Sequence, residues 1–561
     1  MAHPPGWHPA EVAAAAVLGG MVAAAVLLYA TGGVAGLLFG DGWAGGALAD
    51  MPSVAARLPD HIDHPRSAWP ARERAMLPGA AGVYLALTLV LLAAGGMSAA
   101  VLRLSRRPRS AAAAGWAKSR DLRSLAVPHA LPRRIVLGRH RGRLLAAEEG
   151  QSALVVAPTQ SGKTTALAVP AILEWQGPVI ALSVKNDLLR DSIARRTTLG
   201  RVAVFDPTGS TGLEATSSWT PLLSCRDWAG ARRVASWLCE AASPNKRSLS
   251  DGDFWFSAAA KLLAPILYAA ATAGLTMDEV VSWIDTQEER QVLAALEATG
   301  CQPALEAMQA NWSRDDRQRS SVYTTAETIL EAYADPGVLE HSRAPEIRSD
   351  WFLDGGCNTL YVCASAREQR RLRPVFVTLL QEVLEAAYLQ AGRNGGPLNP
   401  GLLVVLDEVA NVAPLPDLDV LVSTGAGHGV QLVTILQDVA QAYDRWGRER
   451  ADTIINNHRA KLLGAGLADE RALDWVGRLL GDHVLYQRSV TSGETGRRST
   501  TESSQFRPLA PANVMREART GTALLVYGNL APAWIRLRPW FADRDLQRLA
   551  TGRAGCAGRW G

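Results

Sequence analysis

The stretch "VVAPTQSGKTT", Val155 to Thr165, is an apolar run that turns directly into glycine, lysine and threonine. Residues Ala157 to Thr164 follow the pattern G-x-x-x-x-G-K-[ST], with alanine at the first position. Each retained residue type has a chemical reason. Gly162 lets the backbone approach a β-phosphate, Lys163 reaches the β and γ oxygens, and Thr164 offers a hydroxyl to Mg²⁺. The following helix adds its amino-terminal dipole. The first glycine mainly permits the turn out of the strand, and alanine is the smallest departure from it. Ala157, Pro158, Thr159, Gln160, Ser161, Gly162, Lys163, Thr164 and Thr165 therefore form the expected nucleotide-binding loop. "SALVVA" before it reads as a buried strand, and "TTALAVPAILEW" after it as a helix kinked by Pro170.

Such a loop needs a second strand ending in acid. "LLVVLDE", Leu402 to Glu408, supplies one, placing Asp407 and Glu408 at the carboxyl edge of a parallel sheet, where open α/β sheets bind ligands. Asp407 is expected to serve Mg²⁺ and Glu408 the attacking water; without the phosphate loop, both would read as solvated acids at a strand end. A third strand, "VQLVTILQ", ends in Gln437, placed to sense a γ-phosphate. The expected ligands are ATP and Mg²⁺, the expected metal residues Thr164 and Asp407, and the expected catalytic residues Lys163, Asp407, Glu408 and Gln437.

Around this centre the bulk properties set limits. At 561 residues the chain exceeds one ordinary core. A net charge of +4 means that nucleic-acid contact must come from local basic patches. The six cysteines, at 225, 239, 301, 357, 363 and 556, form no C-x-x-C pair and read as reduced cytoplasmic thiols; Cys357 and Cys363 are not expected to hold a metal.

Residues 12–39 and 79–102 carry no charge until Asp41 and Arg103 and exceed the roughly 20 residues that cross a bilayer as helix. Arg103, Arg106, Arg107, Arg109, Lys118, Arg120 and Arg123 follow the second run, which places that side in the cytoplasm. Between the runs, Trp43 and Trp69 suit membrane flanks, and "DHIDH", Asp60 to His64, reads as an exposed polar loop rather than a metal site.

The residues resemble the coupling ATPases of type IV secretion and conjugation, the TraG/TraD-like proteins. The likeness is carried by "APTQSGKTTALAVPAILEWQGPVIALSVKNDL", "VVLDEVANVAPLPDLDVLVSTGAGHGVQLVTILQDVAQ", "DFWFSAAAKLLAPILYAA", "RSSVYTTAETILEAYADPGV" and "RPLAPANVMREARTGTALLVYGNLAPAWIRLRPWFAD". The resemblance implies an α/β fold: a RecA-like P-loop nucleotide-binding domain with an inserted all-α domain, preceded by two transmembrane helices. It implies a membrane anchor over 1–110, ATPase segments over 111–222 and 343–545, the insertion over 223–342 and a tail over 546–561. It further implies a multi-pass protein of the cytoplasmic membrane with its ATPase domain in the cytoplasm. A homo-hexamer would pass single-stranded, relaxase-bound DNA, or a relaxase or effector protein, to the components of a type IV secretion channel.

The sequence departs from that family at three places. Ala157 replaces the first glycine, and Ser183 stands where many relatives have aspartate ahead of Lys185-Asn186-Asp187. "STGAGHGV", Ser423 to Val430, holds His428 but no arginine, so an arginine finger would have to come from elsewhere, with Arg445, Arg448 and Arg459 as candidates. Between 223 and 342 apolar residues recur at helical spacing, with Phe254 and Trp255 read as core and Arg314, Arg317 and Arg319 as a solvated face. After Leu485, "QRSVTSGETGRRSTTESSQF" reads as a mobile loop whose Arg488, Arg497 and Arg498 could touch DNA in a ring pore. Two other functions fit a phosphate loop on a membrane anchor. One is an FtsK- or HerA-like pump for double-stranded DNA; the other is a nucleotide-binding receptor or scaffold with little turnover.

Overall fold

The computed structural model describes residues 9–105, 114–243, 250–365, 367–467, 469–492 and 498–552. Arg106, Arg107, Arg109, Arg497 and Cys556 lie outside the described residues. The chain forms two compact units, 1–112 and 113–561.

In the first unit the helices Pro9–Phe39 and Ala80–Ser105 pack on each other. Their stretches Gly19–Phe39 and Ala80–Ser98 are long and apolar enough to cross a membrane. The connecting segment folds against a glycine face of the first helix. A Cβ on Gly36 would meet the Gly42 carbonyl oxygen at 2.0 Å, and one on Gly32 would meet the Trp69 indole nitrogen at 2.8 Å. Of the two tryptophans of this segment, Trp69 has its ring fully buried against Gly32, whereas Trp43 is 47% exposed. Residues 60–64 are exposed.

The second unit is organised by β1 (Ala126–Val127), β2 (Val136–His140), β3 (Arg143–Ala146), β4 (Ala153–Val156), β5 (Val179–Ser183), β6 (Val202–Phe205) and β7 (Thr359–Cys363). It continues with β8 (Leu402–Leu406), β9 (Val430–Leu436), β10 (Ala460–Gly464), β11 (Asp482–Ser492), β12 (Arg498–Pro508), β13 (Thr522–Tyr527) and β14 (Ala533–Arg536). Twelve of them form one sheet in the order β1-β3-β2-β14-β13-β10-β4-β9-β8-β5-β7-β6. From β10 to β6 every pairing is parallel. Parallel strands are covered on both faces, which is why "ALVV", "VIALS" and "LLVVL" read as unbroken apolar runs. Alternate residues serve two cores. Leu154, Val156, Ile180 and Leu182 face one, while Ala153, Val155, Val179 and Ala181 face the other.

Between β6 and β7 the described chain is helical from Trp228 to Arg343, and these helices share the first core with the sheet. Local signals start them: Asp227 accepts from Gly230 N–H, and Thr276 with Glu279 forms a capping box. The helix Ser250–Thr272 contains a third membrane-length apolar stretch, but Ala259, Leu262, Leu263 and Ile266 are fully buried among its neighbours. Phe254 departs from the core reading. It is 56% exposed because it precedes the packed stretch that begins at Ala258, whereas Trp255 is half-buried with its ring edge-on to Phe254 at 5.1 Å.

The segment after Leu485 is also corrected. β11 and β12 pair antiparallel over eleven positions, from Asp482↔Pro508 to Ser492↔Arg498, outside the main sheet. Threonine and valine favour extended backbone, but a two-stranded ribbon has little apolar periodicity to reveal it. Cys363 is the last residue of β7 and Cys357 lies two residues before its first, so the length of an extended strand separates them, too far to share a metal.

Candidate nucleotide site

β4 and β8 both end at the carboxyl edge, separated by β9. After β4 the chain makes a tight loop in which Gln160 and Gly162 adopt positive φ of 62° and 83°, turning backbone amides inward. Gln160 is the unusual member, since only glycine enters this region freely. Lys163 then opens the helix. The expected kink at Pro170 takes another form: residues Thr164–Ala168 wind as a wider π turn, with the Val169 N–H reaching the Thr164 carbonyl, before the α-helix Val169–Glu174. Pro170 has no N–H to donate back, which favours a changed ladder at this point.

The loop crosses the end of β9 and meets β8. Thr164 Oγ1 donates to Asp407 Oδ2 at 3.1 Å. Thr159, Gln160, Gly162, Lys163, Thr164 and Thr165 on one side, and Asp407 and Glu408 on the other, line one cleft of about 170 Å³. Glu408 takes a positive φ of 56°, an uncommon conformation for a residue with a side chain. Val184, Lys185 and Asp187 complete the cleft. The Lys185-Asn186-Asp187 turn stands outside the site expected from the sequence. The signal was its place after β5, the strand beside β8. Ser183 holds that turn, its buried Oγ accepting the Lys185 N–H at 3.1 Å.

The cleft therefore gathers Lys163 and Lys185 with Asp187, Asp407 and Glu408. Burial pushes the Lys163 ammonium below its usual range; Asp407 and Glu408 oppose this and Lys185 adds to it. Burial pushes Asp407 up to about 6. The Thr164 hydrogen bond and Lys163 oppose that rise, and Glu408 and Asp187 reinforce it. Asp407 Oδ1 and Ser161 Oγ are buried without a hydrogen-bond partner. The unpaired Asp407 Oδ1 beside the Thr164 hydroxyl, in a cleft lined by the phosphate-shaped loop, fits Mg²⁺, a hard cation bound through few protein oxygens.

Ala157 is buried at the end of β4, its N–H donating to the Leu436 carbonyl at 3.1 Å. On β10 beside it, a Cβ added to Gly464 would lie 2.5 Å from the Ala157 Cβ. The methyl group absent from a usual loop glycine is thus accommodated by a glycine on the neighbouring strand.

Gln437 lies half-buried at the end of β9, where its N–H donates to Gln441 Oε1 at 3.2 Å; it does not line the cleft. His428 ends the helix Leu418–His428, ahead of β9, and stacks on Tyr388 with ring centroids 4.1 Å apart. It therefore occupies the opposite edge of the sheet from the cleft. Arg459 precedes β10 at that same far edge, 3.2 Å from Glu148. Arg448 is exposed at the start of the helix Arg448–Asn457. Arg445 is on the cleft side of the sheet, and its Nε donates to the Ala410 carbonyl at 3.2 Å.

Residues 116–553 match the family described as type IV secretory system conjugative DNA transfer. The chain is 24% identical over 427 residues to VirD4 of Rhizobium rhizogenes, a match covering 73% of this chain and 61% of that one. It is 23% identical over 376 residues to the conjugal transfer protein TraG of Escherichia coli, covering 62% and 57%. The match thus spans about three fifths of these curated relatives. Among solved structures, the bacterial conjugative coupling protein TrwBdeltaN70 in complex with sulphate superposes with a TM-score of 0.59 at 17% identity, covering 77% of this chain and 95% of that one. TrwB in complex with ADP and Mg²⁺ gives 0.58 at 18% identity, covering 76% and 94%. These superpositions establish the fold: a RecA-like P-loop domain carrying an all-α domain.

Proposed function

The chain belongs to the type IV secretory system conjugative DNA-transfer family, and from that premise we propose that it is a membrane-anchored ATPase that hydrolyses ATP to move DNA, or protein bound to it, toward a secretion channel. The observation that carries this reading is the contact of Thr164 with Asp407 across the end of β9, with Lys163 and Glu408 in the same cleft.

In this reading Lys163 and the loop amides hold the β- and γ-phosphates, and Thr164 and Asp407 hold Mg²⁺. When bound, the cation supplies positive charge to the transferring phosphoryl group. Glu408 orients the attacking water and accepts its proton, and Lys185 adds positive potential from the β5 side. Gln437, outside the cleft as it stands, transmits the nucleotide state along β9. A neighbouring subunit of a homo-hexamer supplies the missing arginine. The helical segment 223–342 is the inserted domain, and residues 12–39 and 79–102 anchor a cytoplasmic ATPase in the inner membrane. Relaxase or effector proteins and channel components are the partners. The plasmid coupling protein TrwB is described in complex with ADP and Mg²⁺.

The test is ATP hydrolysis by the full chain in detergent, with and without single-stranded or duplex DNA. Hydrolysis stimulated more by the single strand supports the proposal. Stronger stimulation by duplex would favour a double-stranded DNA pump, and an assembled ring without turnover would leave a nucleotide-binding scaffold.

A further inference from the structure

The helix Gln369–Arg393 opens with Arg370, Arg371 and Arg373 within its first turns. Arg371 is ion-paired with Glu368 and Asp335 at 2.6 and 2.8 Å. Arg373 is arranged differently: its Nη2 donates to the Asn411 carbonyl at 3.4 Å, while its Nε is buried without a partner. Arg445 donates from Nε to the Ala410 carbonyl at 3.2 Å. Both carbonyls belong to the one-turn helix Val409–Val412, which directly follows Glu408. Arg370 lies one helical turn before Arg373, and Arg373 and Arg445 reach adjacent carbonyls, so the three guanidiniums cluster. Burial, Arg445 and Arg370 push Arg373 down to about 10, and burial and Arg370 lower Arg445. Arg370 is exposed, and Arg373 and Arg445 are half-buried.

We propose that Arg370, Arg373 and Arg445 form a phosphodiester-binding site for the transported strand, an inference that rests on the reading of DNA as cargo. A phosphodiester offers two acceptor oxygens to paired guanidinium donors and offsets the positive charge crowded around Arg373. The nucleotide's own phosphates have a separate cleft, lined by none of these three arginines. Because the one-turn helix connects the cluster to Glu408, strand occupancy is coupled to the placement of that carboxylate.

The experiment measures binding of a short oligothymidylate to the full chain in detergent, with a non-hydrolysable ATP analogue present, across a salt series. Arg370→Ala and Arg373→Gln should each weaken binding by about three- to tenfold and flatten the log–log salt slope by about 0.7 for each lost phosphate contact. Arg317→Ala, an exposed arginine on the helix Asp316–Leu330, should change neither. Arg370 is exposed, so its removal separates loss of the site from failure to fold. Unchanged affinity and slope in Arg370→Ala would overturn the site while leaving DNA as cargo. So would a loss confined to binding of polyglutamate, which would mark the cluster as a receptor for acidic protein. A wild-type chain that does not bind the strand would instead overturn DNA as cargo, and the site with it.

Discussion

The two walls of the cleft are built by different means. The wall from β4 is mostly backbone: a strand end, two positive φ angles and a helix start direct amides inward, and Gly464 on β10 leaves room for Ala157. The wall from β8 and β5 is charge: Asp407, Glu408, Asp187 and Lys185 converge where their mutual potentials and burial compete. Steric change should damage the first wall, and change of charge or pH the second.

The largest effect should separate them by function. On the proposed reading Glu408→Gln leaves the loop, Thr164 and Asp407 in place but removes the proton acceptor, so turnover should fall by about 10²–10⁴-fold while nucleotide affinity stays near wild type. Lys163→Ala should lose affinity and turnover together. Nucleotide titration beside steady-state hydrolysis reads both, and equal loss of affinity in the two variants would break the division.

Next in size is the response to pH. Asp407 binds its proton more tightly folded than its ordinary value of 3.8 implies, at about 6. Between these values the folded chain carries the extra proton, so this group's contribution to stability falls as pH rises, and its penalty is complete above about 6. A shift of this size is worth roughly 2–3 kcal/mol. Asp407→Asn should therefore raise the melting midpoint of the nucleotide-free chain at pH 7.5 more than at pH 5, while abolishing the added stability from Mg²⁺ with nucleotide. A variant less stable than wild type at pH 7.5 would show that the charge wall is not held under this strain.

The backbone wall is tested by Gly464→Ala. Its new Cβ would meet that of Ala157, an overpacking that costs about 1–3 kcal/mol, and Ala157→Gly in the same chain should recover most of it. Thermal unfolding of the two single variants and the double variant measures the coupling; simple additivity would mean that β4 and β10 do not share this space.

The same division explains what could be read beforehand. Apolar runs ending in Lys163-Thr164 or Asp407-Glu408 are local, and burial on both faces of a parallel sheet forces the pattern into the chain, so the sheet and the two strand ends that meet at the cleft were legible. The Ala157–Gly464 fit was not, because residues about 300 positions apart meet only through strand order. Lys185 and Asp187 entered the cleft for the same reason, since the adjacency of β5 and β8 is topological. The β11–β12 ribbon escaped because its sequence carries little apolar periodicity, and the burial of Trp69 against Gly32 was not legible because the glycine face of a membrane-length helix reads like any other apolar stretch.

Ser183 gives the smallest effect and lies where the two kinds of wall meet. It is 2% exposed, and its hydroxyl holds the Lys185 N–H, so a polar side chain positions the charges by fixing backbone. Ser183→Ala removes that acceptor at a cost of about 0.5–1.5 kcal/mol, and nucleotide affinity should fall by about two- to tenfold through looser placement of Lys185 and Asp187. Ser183→Asp restores an acceptor but adds a fourth carboxylate to the edge, and should push Asp407 further up. Calorimetric nucleotide binding at pH 6 and pH 8 distinguishes the two. Ser183→Ala should weaken binding equally at both, whereas Ser183→Asp should weaken it more at pH 6, where Asp407 is already half-protonated. A pH-independent deficit in the aspartate variant would assign Ser183 to the backbone wall alone.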